Sequence, residues 1–270
     1  MYSGLIRVME RAARKAGGRL RRDFGEVEHL QVSRKGPADF VSKADMRAER
    51  TLYDELLAAR PDWGFVMEEA GTIEGDPDKP RWIVDPLDGT SNFLHGIPHF
   101  TISIAAQEPK LDGSGWGDVI AGVIYQPITD ETFWAEKTRG AWLHDGRLRV
   151  SSRSRLSDAL IATGIPFRGA GDPAEWSAIY HAFGPEVAGI RRFGAASLDL
   201  AWLAAGRYDG FWESGLSDWD TAAGCLIVRE AGGFVSDYRG RSQPIHSAQV
   251  LAANDALHSK LHKLLAGALK

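Results

Sequence analysis

One cysteine, Cys225, stands in the 270 residues, which excludes an internal disulfide framework and a thiolate metal cluster. No apolar run approaches the ~18 residues that a membrane span requires. The N-terminal segment is polar and then arginine-rich, without the apolar core of a secretory signal. Charge of one sign is scarce too. Against 36 acidic side chains stand 32 basic ones, a formal net charge of −4, so no general polyanion-binding surface is implied. No repeat or low-complexity linker interrupts the chain. What remains is ordinary globular composition, 44% hydrophobic and 25% charged, enough for one large domain or two closely packed lobes. The expectation is a soluble, cytoplasmic protein.

Leu5, Met9, Ala12, Ala13 and Ala16 recur at helical spacing and predict an amphipathic helix over the first 22 residues. A second helix is expected from about Ser42, with Asp45 three residues on in a capping-box arrangement, to a stop before Pro61. Residues 64–67 read as a short buried strand leading into Glu68-Glu69, 71–80 as a surface loop, and 81–84 as the next strand. Further strands are expected at 100–106, 119–125 and 132–136. Beyond about residue 150 strands and helices alternate: strands at 159–163, 208–212, 233–236 and 250–253, and helices at 173–183, 196–205, 217–230 and from Asn254. That alternation suggests layered α/β architecture, with lobes of about 1–148 and 149–270 in a single unit.

The informative segment is Trp82-Ile83-Val84-Asp85-Pro86-Leu87-Asp88-Gly89-Thr90-Ser91-Asn92-Phe93. A buried strand ends in two aspartates three residues apart. Pro86 fixes its own φ and keeps Asp85 out of the α region. Both carboxylates can therefore stand at the strand's C-terminal edge, where open α/β sheets place ligands. Gly89 permits a tight backbone, and Thr90-Ser91 offer hydroxyls and N–H groups at a helix start, an anion cradle. Two carboxylates beside such a cradle repel each other and the anion. Hard divalent cations resolve that conflict, and an oxygen-only donor set favours Mg²⁺ over Zn²⁺. An ordinary Asp-Pro and Asp-Gly turn with Asp88 as N-cap is the plainer alternative. Glu68-Glu69, Asp45 and Asp220 each have a plain reading as well: an acidic turn, a cap, and a charge favoured by a helix dipole.

Taken jointly, the pieces resemble the inositol monophosphatase family of magnesium-dependent, lithium-sensitive phosphatases. Residues 85–93 look like its D-P-[IL]-D-G-[ST]-x-N-F signature. Trp219-Asp220-Thr221-Ala222-Ala223-Gly224 with Glu230-Ala231-Gly232-Gly233 looks like its second signature, and Asp39-Phe40-Val41-Ser42-Lys43-Ala44-Asp45 is similar to its upstream element. Met67-Glu68-Glu69-Ala70 stands where the family often has G-E-E-S, and Lys35 or Arg34 would be its upstream basic residue.

The resemblance implies a five-layer αβαβα sandwich, the first lobe metal-binding and the second on the substrate side. It implies two or three Mg²⁺ ions: one held by Glu69, Asp85, the Leu87 carbonyl and Thr90, a second by Asp85, Asp88 and Asp220, and a weaker third near Glu69. Asp45 and Thr90 would activate the attacking water. The Gly89 and Thr90 N–H groups would hold phosphate. Glu213 would meet the inositol hydroxyls, with the Gly194-Ala195-Ala196 backbone beside them. A homodimer is implied.

The expected activity is hydrolysis of myo-inositol monophosphate without a phosphoenzyme. The alternatives are fructose 1,6-bisphosphate, histidinol phosphate or a nucleotide 3′-phosphate as substrate, or a regulatory protein that binds RNA or transcription machinery. His95, His99, Cys225, Trp202 and Trp212 are assigned to loop or core packing. Arg191-Arg192 either borders the substrate mouth or forms a surface pair.

Overall fold

Two long helices open the chain, α1 (Gly4–Leu30) and α2 (Pro37–Ala59). The computed structural model describes residues 3–30, 37–166, 169–242 and 247–270; Arg34 and Lys35 lie outside them, and of the upstream element Asp39–Ser42 only the backbone is described. On α1 the buried stripe is Ile6, Met9, Ala12, Ala13, Ala16 and Leu20, so Ile6 rather than Leu5 begins it. α2 starts earlier than the sequence suggests. Proline suits the first helical turn, where its missing N–H has no partner to lose, and Pro37 takes that place. Ser42 and Asp45 therefore lie well inside the helix, and the expected capping box does not form there.

Among the described residues, eight strands make the larger sheet: β1 (Gly64–Met67), β2 (Gly71–Ile73), β3 (Arg81–Asp88), β4 (Thr101–Pro109), β5 (Trp116–Gln126), β6 (Glu131–Glu136), β7 (Gly140–Leu143) and β8 (Gly146–Arg147), in the order β2-β1-β3-β4-β5-β6-β7-β8. β1 and β3 are parallel and the other pairs antiparallel. β2 lies in the stretch expected as loop. A short helix, α3 (Thr90–Leu94), follows β3.

The second sheet is built from β9 (Leu160–Thr163), β10 (Gly189–Arg191), β11 (Gly210–Ser214), β12 (Phe234–Ser236) and β13 (Gln249–Ala253), ordered β10-β9-β11-β13-β12. Between and after these strands run α4 (Pro173–Phe183), α5 (Ala196–Ala204), α6 (Asp218–Glu230) and α7 (Asp255–Ala268). The layers are α1 with α2, the large sheet, α5 with α6, the small sheet, and α4 with α7. This is the five-layer αβαβα sandwich.

β3 is covered on both faces. Trp82 and Val84 pack toward α1 and α2, while Ile83 packs toward the α5 and α6 layer. A strand buried on both sides reads as a continuous apolar run, which is why Trp82-Ile83-Val84 shows no alternation. Where the run ends, Asp85 is still inside the protein.

Candidate active site

Asp85 is 1% exposed and its carboxylate accepts the Leu87 N–H at 2.9 Å. The β3–β4 pairing slips between Asp85 and Asp88, an irregularity of the kind that re-aims side chains beside functional sites. Leu87 is buried, and its carbonyl accepts the Thr90 hydroxyl at 3.0 Å. Gly89 turns the chain with φ +93°, and a Cβ there would stand 2.9 Å from the His99 carbonyl, so no other residue fits without strain. Asn92 Nδ2 then donates to the His99 and Phe193 carbonyls, both at 2.7 Å. This ties α3 to the segment that enters α5.

Asp88 is not the N-cap of α3; Gly89 is. Its Oδ2 accepts the Ser197 N–H at 2.8 Å and the Ser197 hydroxyl at 2.5 Å, so the carboxylate sits on the positive end of α5. Nothing in the local sequence singles out Ser197 beyond its place in a helical first turn.

Asp45, on α2, is 3% exposed, and its Oδ1 has no partner among the described residues. Burial, with the charges of Glu68, Glu69 and Glu49, raises its carboxyl to about 8. Glu68 is raised to about 7 by loss of water, against a hydrogen bond with Asp85, and further by Asp88. Two carboxyl groups can share a hydrogen bond only if one holds a proton. Asp85 is itself raised well above the usual range, by burial first and then by Glu68, Asp88 and Asp220.

The place expected of Glu69 beside Asp85 is thus taken by Glu68. β1 ends at Met67, and in the turn that follows it is Glu68 that comes into hydrogen-bond reach of Asp85. Glu69 lines the same cleft and acts on Asp45 and Glu68 through its charge.

Asp220 lies in the first turn of α6, accepts the Ser217 N–H at 2.7 Å, and is raised to about 7 by burial and Asp88. Glu213, on β11, is raised to about 8 by burial, then by Asp220 and Asp88. Its carboxylate rests against Gly164, where a Cβ would stand 1.7 Å from Oε1. Glycine there makes the room.

Asp45, Glu68, Glu69, Asp88, Gly89, Thr90, Gly194, Ala196, Glu213 and Asp220 line one cleft of about 570 Å³. Ala195 is buried behind it. Arg192 borders the mouth and its charge lowers Glu213, whereas Arg191 is not in the wall. His99 packs between Phe193 and Trp202, Trp212 is fully buried, and burial pushes the Cys225 thiol up to about 12.

Among the described residues no three His, Cys, Asp or Glu side chains are arranged so that they could hold a metal ion as they stand. The donor set nonetheless fits a hard cation. It is all oxygen, and the charges acting on Asp85 are those of Glu68, Asp88 and Asp220. A divalent ion would offset that repulsion with the ligand type Mg²⁺ prefers.

Fold and cleft place the chain among layered α/β sandwich proteins of the sugar-phosphatase type. Residues 1–270 match the inositol monophosphatase family along their whole length, and the chain belongs to that family. It is 50% identical over 264 residues to inositol-1-monophosphatase of Rhizobium meliloti, covering 97% of this chain and 96% of the relative. It is 42% identical to Nus factor SuhB of Pseudomonas aeruginosa, over 93% of this chain and 91% of that one. The crystal structure of extragenic suppressor protein suhB from Bartonella henselae superposes with a TM-score of 0.87 at 50% identity, covering 97% and 98% of the two chains.

Proposed function

We propose that this protein is a Mg²⁺-dependent phosphatase for myo-inositol monophosphate or a closely similar sugar or polyol phosphate, acting by direct in-line attack of water. The observation that carries this reading is the gathering of Glu68, Asp88 and Asp220 in one cleft beside the Gly89–Thr90 turn, against a buried Asp85 that all three raise. Glu68, Asp85, the Leu87 carbonyl and Thr90 would hold one ion, Asp85, Asp88 and Asp220 a second, and Glu69 would stand near a weaker third. Bound there, the ions would supply Lewis-acid stabilisation of charge on the phosphoryl group and its leaving oxygen.

The chain's own groups do the rest. Thr90 Oγ1, already donating to Leu87, accepts a hydrogen bond from the attacking water and orients it. Asp45, whose Oδ1 has no partner among the described residues, receives the proton. The Gly89 and Thr90 amides hold phosphate oxygens at the start of α3. Glu213 meets the polyol hydroxyls, beside the Gly194–Ala196 backbone. In this reading residues of about 1–148 form the metal-binding lobe and 149–270 the substrate side. A homodimer, lithium sensitivity and a cytoplasmic location belong to the same proposal.

The test is a phosphate-release screen over about twenty phosphomonoesters, with and without Mg²⁺. Fastest Mg²⁺-dependent release from inositol monophosphates supports the reading. Preference for fructose 1,6-bisphosphate, histidinol phosphate or a nucleotide 3′-phosphate would move the substrate and keep the chemistry. Similarity to Nus factor SuhB favours a second reading, binding of RNA or transcription machinery. The net charge of −4 weighs against direct RNA contact, and a pull-down from lysate set beside the release assay separates the two.

A further inference from the structure

Glu49 lies one helical turn beyond Asp45 on α2, so the two carboxylates share a face of the helix. β1 and β2 are joined by only three residues, Glu68-Glu69-Ala70, with Met67 paired to Gly71. Amides in so short a connection have no strand partner and must find an acceptor elsewhere. Glu49 supplies it: its carboxylate accepts the Glu69 N–H at 3.0 Å, and the Ala70 amide helps to stabilise its charge.

Glu49 is 6% exposed, a costly place for a carboxylate without such donors. It is not part of the cleft wall. It stands behind the turn, beside a separate hollow of about 300 Å³ lined by Met46, Tyr53 and Met67. One helix thus carries a cleft carboxylate, Asp45, and four residues on a clamp for the turn that presents Glu68.

We propose that Glu49 is a positioning residue: by holding the 68–70 turn against α2 it places Glu68 beside Asp85 and across from Asp45 for divalent-cation binding. The inference rests on the metal reading above. Two simpler roles compete with it. Glu49 could act only as one more negative charge near the cation, or only as a stabiliser of the fold.

The experiment is calorimetric titration of the metal-free protein with Mg²⁺ alone, together with hydrogen exchange of a peptide spanning 68–71, for wild type, Glu49→Ala and Glu49→Gln. Groups that orient metal ligands are typically worth 10–100-fold in affinity. Glu49→Ala is expected to weaken Mg²⁺ binding by at least ~10-fold and to speed exchange of the turn by a similar factor. Glu49→Gln keeps a carbonyl acceptor but no charge, and should stay within about threefold of wild type.

Unchanged affinity and unchanged exchange in Glu49→Ala would overturn the inference. Glu49→Gln as weak as Glu49→Ala would overturn it too, leaving charge as the cause. A lowered Tm with normal Mg²⁺ affinity would reduce Glu49 to a fold stabiliser. If Glu49→Ala does not fold, Glu49→Asp, which keeps the charge but draws the acceptor back from the turn, decides: a ~10-fold loss of Mg²⁺ affinity with faster exchange of the turn supports the clamp, and wild-type values for both remove it. A wild type that binds no Mg²⁺ is a different failure, that of the metal reading, and the inference falls with it.

Discussion

Asp85 and Asp209 are both 1% exposed, yet their surroundings are opposite. Asp209, at the start of β11, accepts the Ser151 hydroxyl at 2.5 Å, the Leu160 N–H at 2.7 Å and Arg153 Nη1 at 3.0 Å. Asp237, beyond β12, is similar: it accepts the Arg241 and Arg239 amides and Arg241 Nε. Burial alone would raise Asp237, but these donors hold it below the usual carboxylate range. Asp85 has one amide and three carboxylates for company, and is raised. A buried carboxylate that holds structure together brings its donors from the same chain. Asp85 leaves its charge unbalanced, and the cation proposed above would offset it.

The largest effects expected are those that strike this contrast directly. Excess EDTA should abolish phosphate release and Mg²⁺ should restore it; full turnover in metal-free buffer would sink the mechanism. Asp85→Asn should cost more than ~100-fold in release, because both proposed ions lose a ligand, while Tm holds or rises as repulsion is relieved. Asp209→Ala should show the reverse. Release per folded molecule is kept, but the orphaned Leu160 amide and Ser151 hydroxyl cost about 2–4 kcal/mol, read as a lower Tm. Equal Tm losses in the two variants would erase the distinction between the regions.

A smaller effect is expected where the small sheet meets the substrate. Removing a charge-assisted hydrogen bond worth ~1.5–3 kcal/mol should lower kcat/KM for inositol phosphate by roughly 10- to 150-fold in Glu213→Ala. A phosphomonoester without polyol hydroxyls should be hydrolysed about as before. A ratio of the two losses near one would retire Glu213 as the polyol reader.

The smallest effect is on stability against pH. Metal-free, Asp45 and Glu213 titrate near 8, and Glu68 and Asp220 near 7, each raised by burial first. A raised carboxyl keeps in the fold a proton that the unfolded chain releases near pH 4. The stability this carries is complete below that value and is lost as pH rises through about 7–8. In EDTA, Tm should therefore fall as pH rises from 5 to 8.5, and Mg²⁺ should flatten the slope. Asp237 has the opposite sign. Its contribution is present above the unfolded pKa and disappears as pH falls through its lower folded value. A flat metal-free curve would show that the cleft carries no unbalanced charge.

Much of the fold is legible in local chemistry. α4 follows Asp172-Pro173, whose aspartate caps the Ala174 N–H at 2.8 Å, and α7 begins where Asn254 accepts the Leu257 N–H at 3.0 Å. β2, β7, β8 and β10 are two to four residues long and partly exposed. β2, β8 and β10 are too short to show a hydrophobic period and exist because a neighbouring strand offers unpaired groups. In the cleft, Asp85, Asp88, Thr90 and Asp220 stand out by motif. Ser197 and Glu49 do not, because their partners lie 109 and 20 positions away.

The sequence alone determined the strand that runs apolar into Asp85, the turn at Gly89, and the order in which the acidic segments occur. Those depend on dihedral limits and burial patterns within a few residues. The tertiary structure decided that Glu68 rather than Glu69 meets Asp85, that the start of α5 takes Asp88, and that Asp45 lies inside α2 with an oxygen that has no partner among the described residues. Proton affinity and hydrogen-bond partners depend on which distant elements displace water around a group, and spacing along the chain does not encode that.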